Sequence, residues 1–224
     1  MSETQPYRIT VLVFDGVEEL DFTGPWETLR IWQTATTRDV HVRTASPDGA
    51  PVRCALGLTI TPDGALDDEP LPDLIVQPGG MGVEALRGDQ AHLDRMRALA
   101  ARGTIMTSVC NGAMVLAAAG VLDGRPATTH WLALDDLEKQ HPEVDVVRGQ
   151  RWVDAGQVVT SAGITAGIDM ALHLIERFES VAMARAVAGI LEHPWDPEVS
   201  GTAATSPENM REALATIVPL MNAN

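Results

Sequence analysis

Read for polarity alone, the chain alternates between short runs that are apolar at nearly every position and longer stretches in which apolar residues recur every three or four. Arg8-Ile9-Thr10-Val11-Leu12-Val13-Phe14 is rich in β-branched residues and is closed by Asp15-Gly16, which predicts a strand and a turn. From 18 to about 32 the spacing becomes helical, with Pro25 placed early, where a first-turn proline is tolerated. Residues 40–44 alternate like a shorter strand, 53–61 read as a further extended segment, and 67–72 form an acidic, proline-bearing loop. Asp73-Leu74-Ile75-Val76-Gln77 predicts a buried strand ending in Pro78-Gly79-Gly80, followed by a helix over 82–102 that is interrupted near Gly88-Asp89. Residues 104–109 give another buried strand and 111–119 a helix, with Cys110 at their junction.

The same alternation continues beyond Cys110. Residues 125–129 predict a short strand and 131–140 a helix; 144–147, 151–153 and 157–161 predict strands, the last two a hairpin around Asp154-Ala155-Gly156. Helices are expected over 164–179 and 181–191, and the cap-like Ser206-Pro207-Glu208 marks a helical tail from about 204. Nothing reads as a repeat, a low-complexity tract or a linker. Alternating strands and helices with strands apolar on both faces point to one α/β domain over 1–224, a doubly wound, mostly parallel sheet covered by helices on both faces.

Composition adds limits. A chain of 224 residues with 45% hydrophobic and 21% charged residues has material for a substantial core. Sixteen Lys+Arg against 31 Asp+Glu give a net charge of −15, a surface that repels phosphate backbones and anionic headgroups, so neither nucleic acid nor membrane is expected as a partner. The N-terminal MSETQPYR lacks the apolar core of a secretory signal, and two cysteines in such a chain read as free thiols, so a cytoplasmic location is expected.

Cys110 is the first candidate for chemistry. A thiol just ahead of a helix meets the positive end of its dipole and free backbone N–H groups, which favour thiolate. A small buried hydrophobe fits the same position, and position alone leaves both readings open. Cys54 reads as core filler. Asp21 is flanked by Leu20 and Phe22, and a carboxyl group withdrawn from water holds its proton to higher pH and can donate it; a helix N-cap is the alternative. Asp15, Glu18 and Glu19 read as solvated turn and helix-start residues. Gly79 and Gly80, after a buried strand, let backbone N–H groups point into a pocket as an oxyanion hole does, although a plain turn also fits. In Ala127-Thr128-Thr129-His130-Trp131, His130 is expected at the same sheet edge, either acting on a group near Cys110 or sitting as a satisfied, partly buried histidine. The six histidines show no H-E-x-x-H and no paired spacing with cysteine, so no metal is expected, and no G-x-S-x-G supports a serine nucleophile.

Taken in order, Val13-Phe14-Asp15-Gly16 with Leu20-Asp21-Phe22-Thr23-Gly24-Pro25, Gln77-Pro78-Gly79-Gly80, Ser108-Val109-Cys110-Asn111-Gly112, the run from Gly120 to Gly124 with Ala127-Thr128-Thr129-His130-Trp131, and Gly163-Ile164-Thr165-Ala166-Gly167-Ile168-Asp169 resemble the ThiJ/PfpI superfamily, relatives of the class I glutamine amidotransferase domain. The resemblance implies a flavodoxin-like fold, a cysteine nucleophile at Cys110, no cofactor and a homodimer. Within the superfamily the chain is similar to the isonitrile hydratase branch, whose members add water to an isocyanide to give an N-substituted formamide. The aspartate at Asp21 and the G-I-T-A-G-I-D run carry that likeness; the histidine that follows the cysteine in the protease-like branch is Asn111 here. Isonitrile hydratases resemble one another in having threonine at that position, so Asn111 is a departure that bears on thiol tuning. The implied catalytic pair is Cys110 and Asp21, with Asn111, Gly79, Gly80 and His130 around it. Chemistry on small reactive carbonyls and a non-catalytic redox-sensor or stress role are the alternatives the superfamily offers.

Overall fold

In the computed structural model, which describes residues 6–68, 70–197, 212 and 215, the alternating pattern becomes a single seven-stranded sheet between two helical layers. The strands β1 (Tyr7–Leu12), β2 (Val40–Ser46), β5 (Gly64–Ala65), β6 (Leu74–Gln77), β7 (Ile105–Ser108), β10 (Trp152–Asp154) and β11 (Val158–Ser161) lie in the order β10-β11-β7-β6-β1-β2-β5. Every neighbouring pair is parallel except β10–β11, the predicted hairpin. Ile9, Val11, Leu74, Ile75, Val76 and Met106 are closed off from water, as strands covered on both faces require.

Helices α1 (Glu19–Ala35), α6 (Ala166–Phe178) and α7 (Val181–Ile190) pack together as one layer. The other layer is α2 (Val83–Gly88), α3 (Gln90–Ala101) and α4 (Ala113–Ala118), and α5 (Leu134–Gln140) lies outside both. The break expected near Gly88-Asp89 separates α2 from α3, where the Asp89 carboxylate caps α3 by accepting from the Ala91 and His92 N–H groups. Phe22, Leu29 and Trp32 drive α1 onto the sheet. Each such fully buried side chain contributes about 1.5–3 kcal/mol.

Several elements differ from expectation. The extended segment over 53–61 is a hairpin, β3 (Val52–Arg53) against β4 (Thr59–Ile60), turned at Leu56-Gly57. The stretches at 125–129 and 144–147 contribute only β8 (Pro126–Ala127) and β9 (Asp145–Val146), which pair with each other and not with the main sheet. Pro25 stands in the second turn of α1, not the first, and cannot donate to the Asp21 carbonyl. The helix expected over 111–119 opens with a 3₁₀ turn at Cys110–Gly112. The tail expected from about 204 falls almost wholly outside the described residues. No helix among those residues is long and apolar enough to cross a membrane.

Candidate active site

The strand order reverses between β1 and β6: from β1 the chain moves to β2 on one side and later returns to β6 on the other. Open α/β sheets leave a crevice at the carboxyl ends of the strands at such a point. Registers Val11↔Val76 and Gln77↔Ser108 align the ends of β1, β6 and β7, so the turns that follow converge there. Those turns carry Gly79-Gly80 and Cys110, and the one after β1 leads into α1, whose first turn carries Asp21.

Cys110 has φ +56°, a left-handed conformation for a side-chain-bearing residue that costs about 1–3 kcal/mol unless its surroundings impose it. The surroundings do. Its N–H donates to the Ala162 carbonyl at 3.0 Å, the Thr129 hydroxyl donates to its carbonyl at 2.7 Å, and the Val109 N–H donates to the Gln77 carbonyl at 3.0 Å. At this sharp strand-to-turn bend Cys110 is half-buried.

Asp21 lies inside α1 and is wholly buried; the N-cap of that helix is Glu18, so Asp21 is not the cap residue. Its Oδ2 accepts the Gly79 N–H at 3.1 Å, while Oδ1 is buried without an aligned hydrogen-bond partner. The Cys110 thiol interacts with this carboxylate. Burial, opposed by the Gly79 N–H and reinforced by the charge of Glu18, pushes the Asp21 carboxyl from 3.8 up to about 7. Burial and the Asp21 charge likewise push the Cys110 thiol well above the ordinary cysteine range, with only the Asn111 backbone N–H favouring thiolate. The thiolate expected from a helix dipole is therefore corrected: the turn behind Cys110 is 3₁₀ and α4 is short, so desolvation and a neighbouring carboxylate outweigh it. The resting pair is a thiol beside a carboxyl group poised near neutrality.

The glycine turn also differs from expectation. The Gly79 N–H is committed to Asp21, and the Gly80 N–H donates to Asn111 Oδ1 at 2.8 Å, so neither is free to act as an oxyanion donor. The Asn111 amide closes the pairing by donating to the Gly80 carbonyl at 3.1 Å, and so its side chain fastens the turn to the bend rather than aiming at sulfur. There is no room for a side chain at Gly79: an added Cβ would stand 2.3 Å from Asn111 Oδ1, 2.8 Å from Asp21 Oδ2 and 2.9 Å from Cys110 Cβ.

His130 follows β8 and is not on the main sheet, yet it reaches the site. A Cβ added to Gly163 would stand 2.3 Å from the His130 ring and 3.0 Å from Cys110 Sγ, so both side chains flank that glycine. Burial lowers the His130 pKa, keeping the ring neutral, and Nδ1 accepts from the Leu132 N–H at 3.4 Å, which leaves the ring proton on Nε2. Cys54 is packed in the core as expected. The reading from sequence missed the wall made by Ala162 and Gly163 and the tie from Thr129, although Gly163 and Thr129 lay inside motifs already singled out; Glu18, read as a solvated helix-start residue, is the N-cap of α1 and a third acidic group near the pair. Among the described residues no group of three His, Cys, Asp or Glu side chains is placed to hold a metal. A cavity of about 360 Å³ opens near the amino ends of β1 and β2, lined by Arg8, Thr10, Arg30, His41 and Arg43, and none of Cys110, Asp21, Gly79, Gly80, Asn111 or His130 lines it. A strained cysteine beside a carboxyl group pushed up towards neutrality makes the turn at Cys110 the candidate site.

The family model that matches residues 7–177 is that of the DJ-1/PfpI family. The chain belongs to this family. Among its relatives, the isonitrile hydratase of Pseudomonas putida is 41% identical over 201 residues, which cover 89% of this chain and 85% of that protein. A deglycase of Thermococcus kodakarensis is 28% identical over 68% of this chain and 84% of its own length. A ThiJ/PfpI family protein from Pseudomonas syringae has a crystal structure similar to this one at a TM-score of 0.80, with 28% identity, covering 96% of this chain and 87% of that one. The DJ-1/PfpI fold thus accounts for the sheet, both helical layers and the crevice.

Proposed function

We propose that the protein is a cysteine-dependent hydratase that adds water to an isocyanide and releases an N-substituted formamide. The observation that carries this reading is the pairing of Cys110, strained and half-buried, with a buried Asp21 that titrates near pH 7; the 41% identity to an isonitrile hydratase supports the substrate class. The active pair holds one proton. As Cys110 Sγ attacks the terminal carbon of R–N≡C, the thiol proton passes to Asp21, which delivers it to that same carbon and leaves a thioimidate, R–N=CH–S–Cys110. Asp21, ionised again, takes a proton from water as the oxygen adds to the carbon. That proton goes to nitrogen, the C–S bond breaks, the hydroxyl proton returns to sulfur, and R–NH–CHO leaves. Oδ1 of Asp21, buried without an aligned hydrogen-bond partner, is the oxygen we assign to these transfers. Nε2–H of neutral His130 is a donor on the same wall. We also read the functional unit as a homodimer.

Mass spectrometry of protein mixed with an isocyanide and trapped by acid is expected to show one adduct, on Cys110. Turnover that persists in Cys110→Ala would end the proposal. The deglycase relative favours one second reading, attack of the same sulfur on a small α-oxoaldehyde. Parallel assays with an isocyanide and with methylglyoxal separate the two.

A further inference from the structure

The wall that faces Cys110 is held from behind by side chains outside the site. Ala162, whose carbonyl accepts the Cys110 N–H, donates its own N–H to the Arg151 carbonyl at 2.8 Å. Three residues on, the Arg151 guanidinium donates to Thr165 Oγ1 at 3.1 Å and, through Nε, to Asp169 Oδ2 at 2.6 Å, with a second nitrogen on the same oxygen. Arg151 therefore grips the 162–165 turn at both ends, by its main chain on one side and its side chain on the other. Asp169, 3% exposed in the first turn of α6, has its other oxygen taken by His193 Nε2 at 2.9 Å. His193 arrives from the segment after α7, so a residue far along the chain completes the carboxylate's partners. Gly163, within this turn, touches both Cys110 Sγ and the His130 ring, and a displacement there moves the reacting sulfur directly.

We propose that Arg151 is a positioning residue, and that the Arg151–Asp169–His193 clamp sets the pocket wall that holds Cys110 in its strained conformation. The inference rests on the reading of Cys110 as the nucleophile. It assigns nothing to substrate binding by Arg151 itself, whose Nε and Nη2 are committed to Thr165 and Asp169. A misplacement of about 1 Å in a reacting group is worth about 100-fold in rate, so a loosened wall acts on kcat before it acts on stability.

The test is Arg151→Met, which keeps the length of the side chain and removes the grip, beside Arg151→Lys, which restores one donor. Two rates are measured: turnover of an isocyanide, and alkylation of Cys110 by iodoacetamide, which needs no isocyanide chemistry. We expect Arg151→Met to keep the native circular dichroism, lose about tenfold or more in kcat with little change in KM, and change the alkylation rate several-fold, with partial recovery in Arg151→Lys. A folded Arg151→Met that matches wild type in both rates overturns the proposal. Should Arg151→Met not fold, Thr165→Val, which removes only the exposed hydroxyl contact, decides by the same alkylation rate: changed supports the clamp, unchanged overturns it. If the wild type turns over no isocyanide, the hydratase reading fails while alkylation still judges the clamp.

Discussion

At the scale of single residues, Asp21 joins activity and stability with opposite signs. Its carboxyl titrates at about 7 in the fold against 3.8 in water, so the native state binds a proton that the unfolded chain has released between those values. Any stability linked to Asp21 is thus full below about pH 4 and is lost as pH rises through 7, up to about 4 kcal/mol at 1.4 kcal/mol per unit. Asp21→Asn is expected to be more stable than wild type in urea unfolding at pH 8 and equal to it at pH 4, while turnover falls by about 100-fold or more. Equal stability at pH 8 would mean that burial does not hold the proton. On the proposed mechanism the form of the pair with one proton is the competent one, so kcat/KM should rise to a plateau through about pH 7 and keep that plateau to high pH, because the thiol is pushed up. A profile that instead climbs through the ordinary cysteine range near 8.5 would assign the limiting ionisation to a free thiol.

At the scale of elements, the strands whose apolar runs are continuous were legible, and the pairing of the two-residue strands was not. β1, β6 and β7 announce themselves because both faces are buried, and their register then brings Asp21, Gly79 and Cys110 together without further information. β5, two residues long, and the β3–β4 hairpin have no periodicity to read; their positions come from tertiary pairing with β2 and with the Asp15 loop, where the Asp15 carboxylate accepts the Arg53 N–H. The membership of the site was visible in the motifs, but the direction of its electrostatics was not, since burial of a thiol and a carboxyl group is a property of the packed molecule. Gly79 illustrates the limit: a glycine after a strand suggests a free amide, and only packing shows it spent on Asp21. Gly163 gives the element-scale test. Gly163→Ala puts a methyl group where the His130 ring and Cys110 Sγ meet, and turnover is expected to fall about 10- to 100-fold with stability lowered by about 1–3 kcal/mol. Wild-type kinetics in that variant would show that the wall has room to move.

At the scale of the whole molecule, the crevice has a rim that a −15 chain is not expected to leave in water. Leu20, Leu56, Leu58 and Met81 are 39%, 76%, 50% and 82% exposed. They stand on three segments tied to one another: Leu56 and Leu58 donate their N–H groups to the Glu19 carboxylate, Ala55 donates to the Val17 carbonyl, and Val17 bridges Gly80, next to Met81. The hairpin tip, the start of α1 and the glycine turn thus present exposed apolar side chains on segments that hydrogen bonds tie to one another. Such side chains suit a second copy of the chain, because a self-complementary patch is buried twice in a two-fold dimer. Light scattering at micromolar concentration is expected to give twice the 24.0 kDa chain mass, and Leu56→Asp with Met81→Asp should return it to the single-chain value. The same double variant removes cover from the start of α1, which carries Glu18 and Asp21, and from the turn that carries the Gly79 amide, so its kcat is expected to fall along with its mass. A monomeric wild type would overturn the homodimer, and a monomeric variant with full activity would place it outside the chemistry and leave the site complete within one chain.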